Sequence, residues 1–186
     1  MPDNAYHFVD RGRVQGDITE VADILEDALS LPDWWGATYF DVKEIEPGHD
    51  HGLGKLISLH AGGWLPYTLC INFRTVESRY PAGFSMDATG DLEGKGVCTL
   101  EQDGPFVNVT DDWIIKANKP VIEKLSFLLK PIFRSNHNWT MKRGEESLKL
   151  ELLRRRSKAK GTHLKFRPRQ GRPSWSVCSN SIARDY

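Results

Sequence analysis

Two polar side chains fall on faces that the sequence pattern predicts to be buried: Asn136 on the apolar stripe of a long predicted helix and Asp111 on the inward series of a predicted strand. His137 lies about 100° round the helix from Asn136, at a pocket edge or in solvent. A solvated Asp111 near a strand end or bulge is the alternative for that residue. An unpaired buried amide costs about 1–3 kcal/mol, so Asn136 must bind a ligand oxygen or tie the helix to the sheet. Asp111 and His137 are the candidate catalytic groups, because a buried carboxyl with a raised pKa and a histidine can both transfer protons.

No recognisable catalytic or metal-binding motif accompanies these residues. The sequence contains no G-x-S-x-G, no H-E-x-x-H and no phosphate-binding glycine loop. His49, Asp50 and His51 lie in a tight polar loop and lack a third ligand at a suitable spacing, which is a weak metal signal. The sequence therefore predicts neither a metal nor a cofactor.

The charges of the chain are segregated, although its formal net charge is zero over 186 residues. Residues 1–153 carry 15 Lys or Arg against 24 Asp or Glu, whereas residues 154–186 carry 10 against 1. The second segment is polar and aperiodic, which predicts an ordered domain over 1–153 and a disordered basic tail over 154–186. The tail is either a genuine extension or an artefact of the reading frame. It would give only weak, non-specific binding to nucleic acid or anionic lipid.

Targeting signals are not apparent in the sequence. The N-terminus lacks the basic and then apolar layout of a signal peptide, and no apolar run reaches the roughly 18 residues that cross a bilayer. The widely spaced cysteines form no disulfide framework. These features predict a reduced, cytoplasmic protein that does not span a membrane, and they leave its oligomeric state open.

Two short helices are predicted after a first strand over residues 5–14. Asp17 and Glu20 form a capping-box pattern at the start of the first helix, although the usual cap there is Ser or Thr. Pro32 ends that helix, and a further turn holds Trp34 and Trp35. Because adjacent residues on a turn point about 100° apart, one ring is expected to anchor the segment in the core. The other would line or cover a cavity mouth.

Six strand-like runs follow, separated by Gly, Pro and Asp. The connections are too short for crossover helices, so the runs predict an antiparallel meander. Gly94–Gly96 is interpreted as a hairpin turn that contains a lysine. The runs cover residues 38–46, 55–60, 67–77, 83–89, 96–102 and 106–116.

Apolar residues at helical spacing then predict one long helix that starts near Pro120 and kinks at Pro131. Its inner stripe loses bulk midway, which would leave space opposite the sheet with a few polar groups, as in ligand pockets. The alternative is a solid core in which Trp139, Met141 and the aromatic residues of the sheet fill that space. The stripe consists of Leu125, Leu128, Leu129, Ile132, Phe133, Asn136, Thr140, Gly144, Leu148 and Leu152.

This order of elements resembles the START-like, Bet v 1-like superfamily, also called SRPBCC, and in particular its "polyketide cyclase/dehydrase" type proteins of unknown function. The similarity lies in the segments VADILEDALSLPDWW, KEIEPGHDHGLGKLISLHAGGWLPYTL, GDLEGKGVCTLEQDGPFVNVTDDW and LSFLLKPIFRSNHNWTMKRGEESLKLEL. It implies an α+β helix-grip fold, in which a seven-stranded antiparallel sheet wraps round a long C-terminal helix, with two short helices after the first strand. The sequence departs from the family at Gly12, where a looser sheet edge is expected, and after Arg154.

The resemblance also implies a cavity between sheet and helix for an apolar or amphipathic small molecule. Binding or carriage of a lipid, isoprenoid or polyketide-like ligand is the leading interpretation, with ligand entry near the tryptophan pair and the loop over residues 62–65. A cyclase- or aromatase-type enzyme is the alternative, and a regulatory module acting through the basic tail is a third class. The expected ligand-binding residues are Trp34, Trp35, Trp64, Tyr67, Leu69, Ile71, Met86, Trp113, Phe133, Asn136 and Thr140.

Overall fold

A seven-stranded antiparallel sheet and one long helix form the body of the protein. The computed structural model describes residues 5–118 and 120–159, and only the backbone of 120–130. Strands β2 to β6 each pair with the next strand along the chain, and β1 pairs with β7. The order is therefore β1-β7-β6-β5-β4-β3-β2, with β1 and β2 at the two edges. The strands are β1 Ala5–Gln15, β2 Tyr39–Glu46, β3 Leu56–Gly62, β4 Thr68–Ser78, β5 Gly83–Gly90, β6 Leu92–Asp103 and β7 Phe106–Ala117.

The predicted meander and helix-grip arrangement are confirmed, with two local corrections. Gly94–Gly96 lies inside β6, paired to β5 and β7, and the turn that precedes it is at Gly90 and Asp91. Gly12 does not loosen the edge, because the register between β1 and β7 is unbroken from Ala5 to Gln15.

The two short helices follow β1 as expected, but the first ends at Glu26 and Pro32 begins the second instead of ending the first. The capping box at α1, Ile18–Glu26, is present: the Asp17 carboxylate accepts the Thr19 N–H at 2.8 Å, and the Glu20 carboxylate accepts the Asp17 N–H at 3.1 Å. A short 3₁₀ turn leads into α2, Leu31–Trp34, which has Pro32 in its first turn. The chain therefore reaches the tryptophan pair through a tight helical segment whose position is fixed by packing on the sheet.

Helix α3, Pro120–Ala159, continues six residues past the expected domain boundary at Leu153. Three consecutive arginines of the supposed tail form ion pairs with the folded body, which explains why the helix continues. Arg154 and Arg155 both bind the buried Glu151, and Arg156 binds Glu20 of α1. The prediction of a disordered segment beyond Ala159 concerns residues outside the described part of the chain.

The stripe predicted on α3 is correct in its C-terminal half. Leu148 and Leu152 are buried in the core cluster that holds Val14, Val21 and Val107. Ile132, by contrast, is 39% exposed and lies off the buried face. The side chains predicted at positions 125, 128 and 129 lie outside the described residues.

Cys98 is a free, buried thiol. No helix in the described ranges is long and apolar enough to cross a membrane. The cytoplasmic location stays a prediction.

Candidate functional site

A cavity of about 270 Å³, the main cavity, lies between the inner face of the sheet and α3. Its volume is slightly below the roughly 300–1,000 Å³ typical of small-molecule sites. The predicted space is therefore open, and the alternative of a solid core is wrong. The residues of the predicted set that line it are Trp35, Tyr67, Leu69, Ile71, Met86, Trp113, Phe133, Asn136 and Thr140, together with Asp111 and His137.

Two expected ligand contacts lie elsewhere. Trp34 is 7% exposed and belongs to the core cluster between sheet and helices, where its Nε1 donates to the Ser30 hydroxyl at 3.2 Å. Trp64 is 44% exposed, in the loop over residues 62–65, and is not part of the main cavity wall. Of the tryptophan pair, Trp34 is thus the anchor and Trp35 faces the main cavity.

The position of Trp35 also explains why α3 has a glycine at position 144. The indole ring lies directly over Gly144, and a Cβ atom at that position would overlap the ring. The small residue was expected to enlarge the main cavity, but it accommodates Trp35 instead. A second cavity of about 250 Å³ adjoins the main one, because Trp35, Met141 and Asp111 contribute to both walls, and Trp34 lines this second cavity. Trp35 therefore separates two chambers.

Replacing Gly144 with Ala should push the Trp35 ring out of its seat. Overpacking of this kind costs about 1–3 kcal/mol, and the better helix propensity of Ala offsets up to about 1 kcal/mol of that. We expect a net loss of about 1–2 kcal/mol in the free energy of unfolding, measured by urea denaturation.

Gly12→Ala is the matched control, because a Cβ at Gly12 meets only the Glu145 side chain, at an ordinary 3.6 Å. A Gly144→Ala variant as stable as the wild type would contradict the seating of Trp35. Adding Trp35→Leu to Gly144→Ala should recover part of the loss, because the smaller side chain removes the overlap.

Asn136 ties the helix to a loop at the cavity edge. Its Oδ1 accepts the backbone N–H of Leu65 at 3.3 Å, so the structure favours the tethering interpretation for this atom. Gly63 makes the approach possible, since a Cβ there would overlap the Asn136 amide. Asn136 also lines the main cavity and so couples the loop to the wall that a ligand would touch.

Asp111 lies in the middle of β7 with its carboxyl in the wall of both cavities. Its register partners are Asp10 on β1 and Cys98 on β6. Burial, with a smaller contribution from the charge of Asp10, raises the pKa of Asp111 to about 6, although the Cys98 thiol and His137 oppose the rise. Burial, followed by the charge of Asp111, also raises the pKa of Cys98, so the protonated thiol donates to the carboxyl. Asp112, the next residue, contacts the half-exposed His7 instead.

His137 reaches the same group of side chains from α3. Its Nε2 lies 2.6 Å from Asp10 Oδ2, and its ring stacks on Phe8 with 3.9 Å between centroids. The two candidate catalytic residues are thus brought together through Asp10, which the sequence did not single out. No set of three or more His, Cys, Asp or Glu side chains in the described ranges is arranged to hold a metal ion.

Two further residues of the main cavity wall, Tyr6 and Thr38, could not be identified as site residues from the sequence. Tyr6 and Thr38 are 8% and 4% exposed, and neither hydroxyl has a hydrogen-bond partner among the described residues. The same is true of Trp35 Nε1. Alternation along β1 puts Tyr6 and Phe8 on the inner face, but only the packing of α2 decides where Thr38 points.

Phenol groups add to the polar part of the wall. Burial, and after it Tyr6, raises the pKa of Tyr67 to about 12. Burial, with a contribution from Asp111, raises the pKa of Tyr39 further still. Both phenols are therefore neutral hydrogen-bonding groups around neutral pH.

A curved antiparallel sheet around a C-terminal helix, with a cavity between them, defines the helix-grip fold, and comparisons with solved structures agree. The Zhui aromatase/cyclase of Streptomyces sp. R1128 superposes with a TM-score of 0.64 at 14% identity, covering 83% of this chain and 98% of that one. A START superfamily protein of Mycobacterium smegmatis gives 0.60 at 11% identity, covering 80% and 97%. Thalictrum flavum norcoclaurine synthase gives 0.54 at 11%, covering 82% and 97%.

These likenesses confirm the resemblance to the START-like, Bet v 1-like superfamily at the level of the fold. Comparison of the sequence with protein-family models and with curated proteins gives no match.

Proposed function

We propose that this protein binds a hydrophobic small molecule in the main cavity and carries or sequesters it. The observation that carries the proposal is an apolar cavity whose wall holds buried polar atoms without a partner among the described residues: the hydroxyls of Tyr6 and Thr38 and Nε1 of Trp35. Such atoms cost free energy unless something hydrogen-bonds them, so they favour an amphipathic ligand over a filled core.

The affinity would come mainly from apolar burial. A ligand that removes about 300 Å² of apolar surface from water gains about 7.5 kcal/mol at about 25 cal/mol per Å², before the cost of association is subtracted. The wall that supplies this burial comes from both sides, from Leu69, Ile71 and Trp113 on the sheet and Phe133 on α3. The loop over residues 62–65 is the proposed entrance, because the hydrogen bond between Leu65 and Asn136 ties it to α3 at the cavity edge.

Filling the cavity from the sheet side tests this proposal. Ala88 is buried and lines the main cavity, so Ala88→Leu should weaken binding of the neutral dye Nile red by about tenfold, measured by fluorescence titration. Thr89→Leu, on the exposed face one residue later, should leave the dissociation constant unchanged. Equal dye binding by wild type and by a folded Ala88→Leu variant would contradict the proposal. Native mass spectrometry of the purified protein would reveal a co-purified ligand directly.

A cyclase- or aromatase-type enzyme is the second candidate, and the environment of Asp111 favours it. A carboxyl with a pKa of about 6 inside an apolar cavity can give a proton to a ligand carbonyl and, as carboxylate, take one from the adjacent carbon. In an intramolecular aldol step the resulting enolate carbon would attack a second carbonyl, which accepts the proton. His137 and Asp10 lie within reach to restore the protonation state.

Turnover separates the two candidates. A carrier retains a bound ligand unchanged, and Asp111→Asn and His137→Gln affect retention only slightly. An enzyme converts a poly-β-ketone mimic, and either substitution reduces the rate by at least about a hundredfold. Chromatography of the ligand after incubation with each variant decides between them.

A further inference from the structure

We infer that the ligand of the main cavity is an elongated molecule with a neutral oxygen function, a hydroxyl or a carbonyl, at each of two ends. This inference rests on the proposed function and specifies the ligand class of the same cavity. It follows from the positions of the buried polar atoms in the main cavity wall that have no hydrogen-bond partner among the described residues, since they fall into two groups on opposite edges of the sheet.

The first group is the hydroxyl of Tyr6, on edge strand β1. Apolar rings enclose the phenol: it stacks on Phe8 with centroids 5.7 Å apart and meets Phe133 edge-on at 6.5 Å. Its Oη is buried and has no partner among the described residues. A phenol can both donate and accept, so this end takes either a hydroxyl or a carbonyl oxygen.

The second group is Thr38 and Trp35, at the other edge beside β2. The backbone of Thr38 is fully used, because its N–H donates to the Trp35 carbonyl at 3.0 Å and its carbonyl accepts from Gly62 at 2.8 Å. Its hydroxyl is left without a described partner, as is Trp35 Nε1. The neighbouring Trp34 shows the contrast, since its Nε1 is satisfied by Ser30. An indole N–H only donates, so the ligand group here must accept.

One functional group cannot serve both ends. The Tyr6 ring packs against Phe133 and the Trp35 ring against Gly144, eleven residues further along the same helix. At 1.5 Å per residue these contact points are about 16 Å apart along the helix axis. A hydrogen bond spans about 3 Å, so a ligand with a single polar group leaves one end without a partner.

The charges in the wall favour neutral end groups. Apart from phenols and a thiol, the ionisable side chains in the described part of the wall are Asp111 and His137. His137 is paired with Asp10, whose carboxylate lies 2.6 Å from its Nε2. A carboxylate ligand would face Asp111 without a free cation in the described part of the wall. A hydroxyl or carbonyl meets only hydrogen-bonding groups.

Matched ten-carbon probes test the inference: 1-decanol, 1,10-decanediol and decanoate, each competed against Nile red. Tyr6→Phe removes one hydroxyl and should weaken the binding of decanediol by about tenfold. It should have little effect on the binding of decanol, which can place its single hydroxyl at the other end. Thr38→Val should act in the same direction but less strongly, because Trp35 Nε1 remains. The double variant should bind both alcohols more weakly than the wild type does. Decanoate should bind to the wild type more weakly than decanol at about pH 8.

Thr110→Val, on the outer face of β7, is the control for the threonine substitution and should change nothing. Neither Tyr6→Phe nor Thr38→Val should lower Tm, because neither hydroxyl bonds another described group of the protein. If the alcohols bind but Tyr6→Phe weakens both equally or neither, or if decanoate binds more tightly than decanol, the inference is overturned while ligand binding stands. If no probe and no dye binds, the proposed function itself fails.

Discussion

Replacing Asp111 with Asn is expected to raise the free energy of unfolding by about 2–3 kcal/mol at about pH 8. Burial raises the pKa of this carboxyl from 3.8 to about 6, and each unit of pKa difference corresponds to 1.36 kcal/mol. Because the folded-state pKa lies above the unfolded one, the folded protein binds the proton more tightly. Stability therefore falls as the pH rises from about 4 to about 6, and the full cost of the buried charge is present above that range. Asn accepts the Cys98 hydrogen bond without the charge.

The pH profile distinguishes this effect from ordinary repacking. The increase in the free energy of unfolding caused by Asp111→Asn, measured by urea denaturation, should decrease as the pH falls from about 6 to about 4. Below about pH 4 it should be absent. Asp112→Asn is the matched control, one residue away on the outer face, where the carboxyl is 47% exposed and pairs with His7. It should change stability by less than about 0.5 kcal/mol. A gain at Asp111 that is independent of pH would contradict a buried, titrating carboxyl.

Replacing Arg154 and Arg155 together with Met is expected to lower the free energy of unfolding by about 3 kcal/mol at neutral pH. Glu151 is 2% exposed and receives both guanidinium groups, with Arg155 Nε at 2.8 Å. Removing both partners leaves a buried carboxylate uncompensated, which typically costs about 3–5 kcal/mol. The contacts of Arg155 with Asp27 and Ser30, which join α3 to the segment before α2, would be lost as well.

A compensating substitution tests whether the loss of stability comes from the buried charge of Glu151. Adding Glu151→Gln to the double variant should recover most of the loss, and Lys158→Met, an exposed cation on the same helix, should have no measurable effect. The arginines hold the pKa of Glu151 below its usual value despite its burial. Their contribution is therefore present above the unfolded pKa and lost as the pH falls, so wild type and double variant should converge below about pH 4. Equal loss at every pH would contradict the mechanism.

Local patterns in the sequence were sufficient to predict the elements and most of their faces. The alternation of Leu69, Ile71 and Phe73 along β4 matches their placement on the cavity side, because a strand has a period of two and only one face of this sheet is buried against the helix. The Asp17 cap is equally local, since it depends on residues within one turn. Helix α3 continues to Ala159, beyond the boundary expected at Leu153, and the partners of Arg155 and Arg156 there, Asp27 and Glu20, are distant in the sequence.

The site depended on contacts between distant segments. A loss of bulk at Gly144 signals a space, but whether that space is empty depends on a ring 109 positions earlier, and Trp35 occupies it. The partner of His137 is Asp10, from the other end of the domain, and the partner of Asn136 is a loop amide. No periodicity within one helix carries information about such partners.

By itself, then, the sequence determined the order of strands and helices and the inner face of the sheet, because hydrophobic periodicity and turn residues act over short distances. The resemblance to a known family implied the helix-grip fold and the cavity. Only the tertiary structure decided which tryptophan faces the cavity, which hydroxyls lack partners and how far the pKa of Asp111 rises. These properties depend on burial and on charges brought together from β1, β6, β7 and α3. Desolvation is a property of the assembled environment and not of any residue alone.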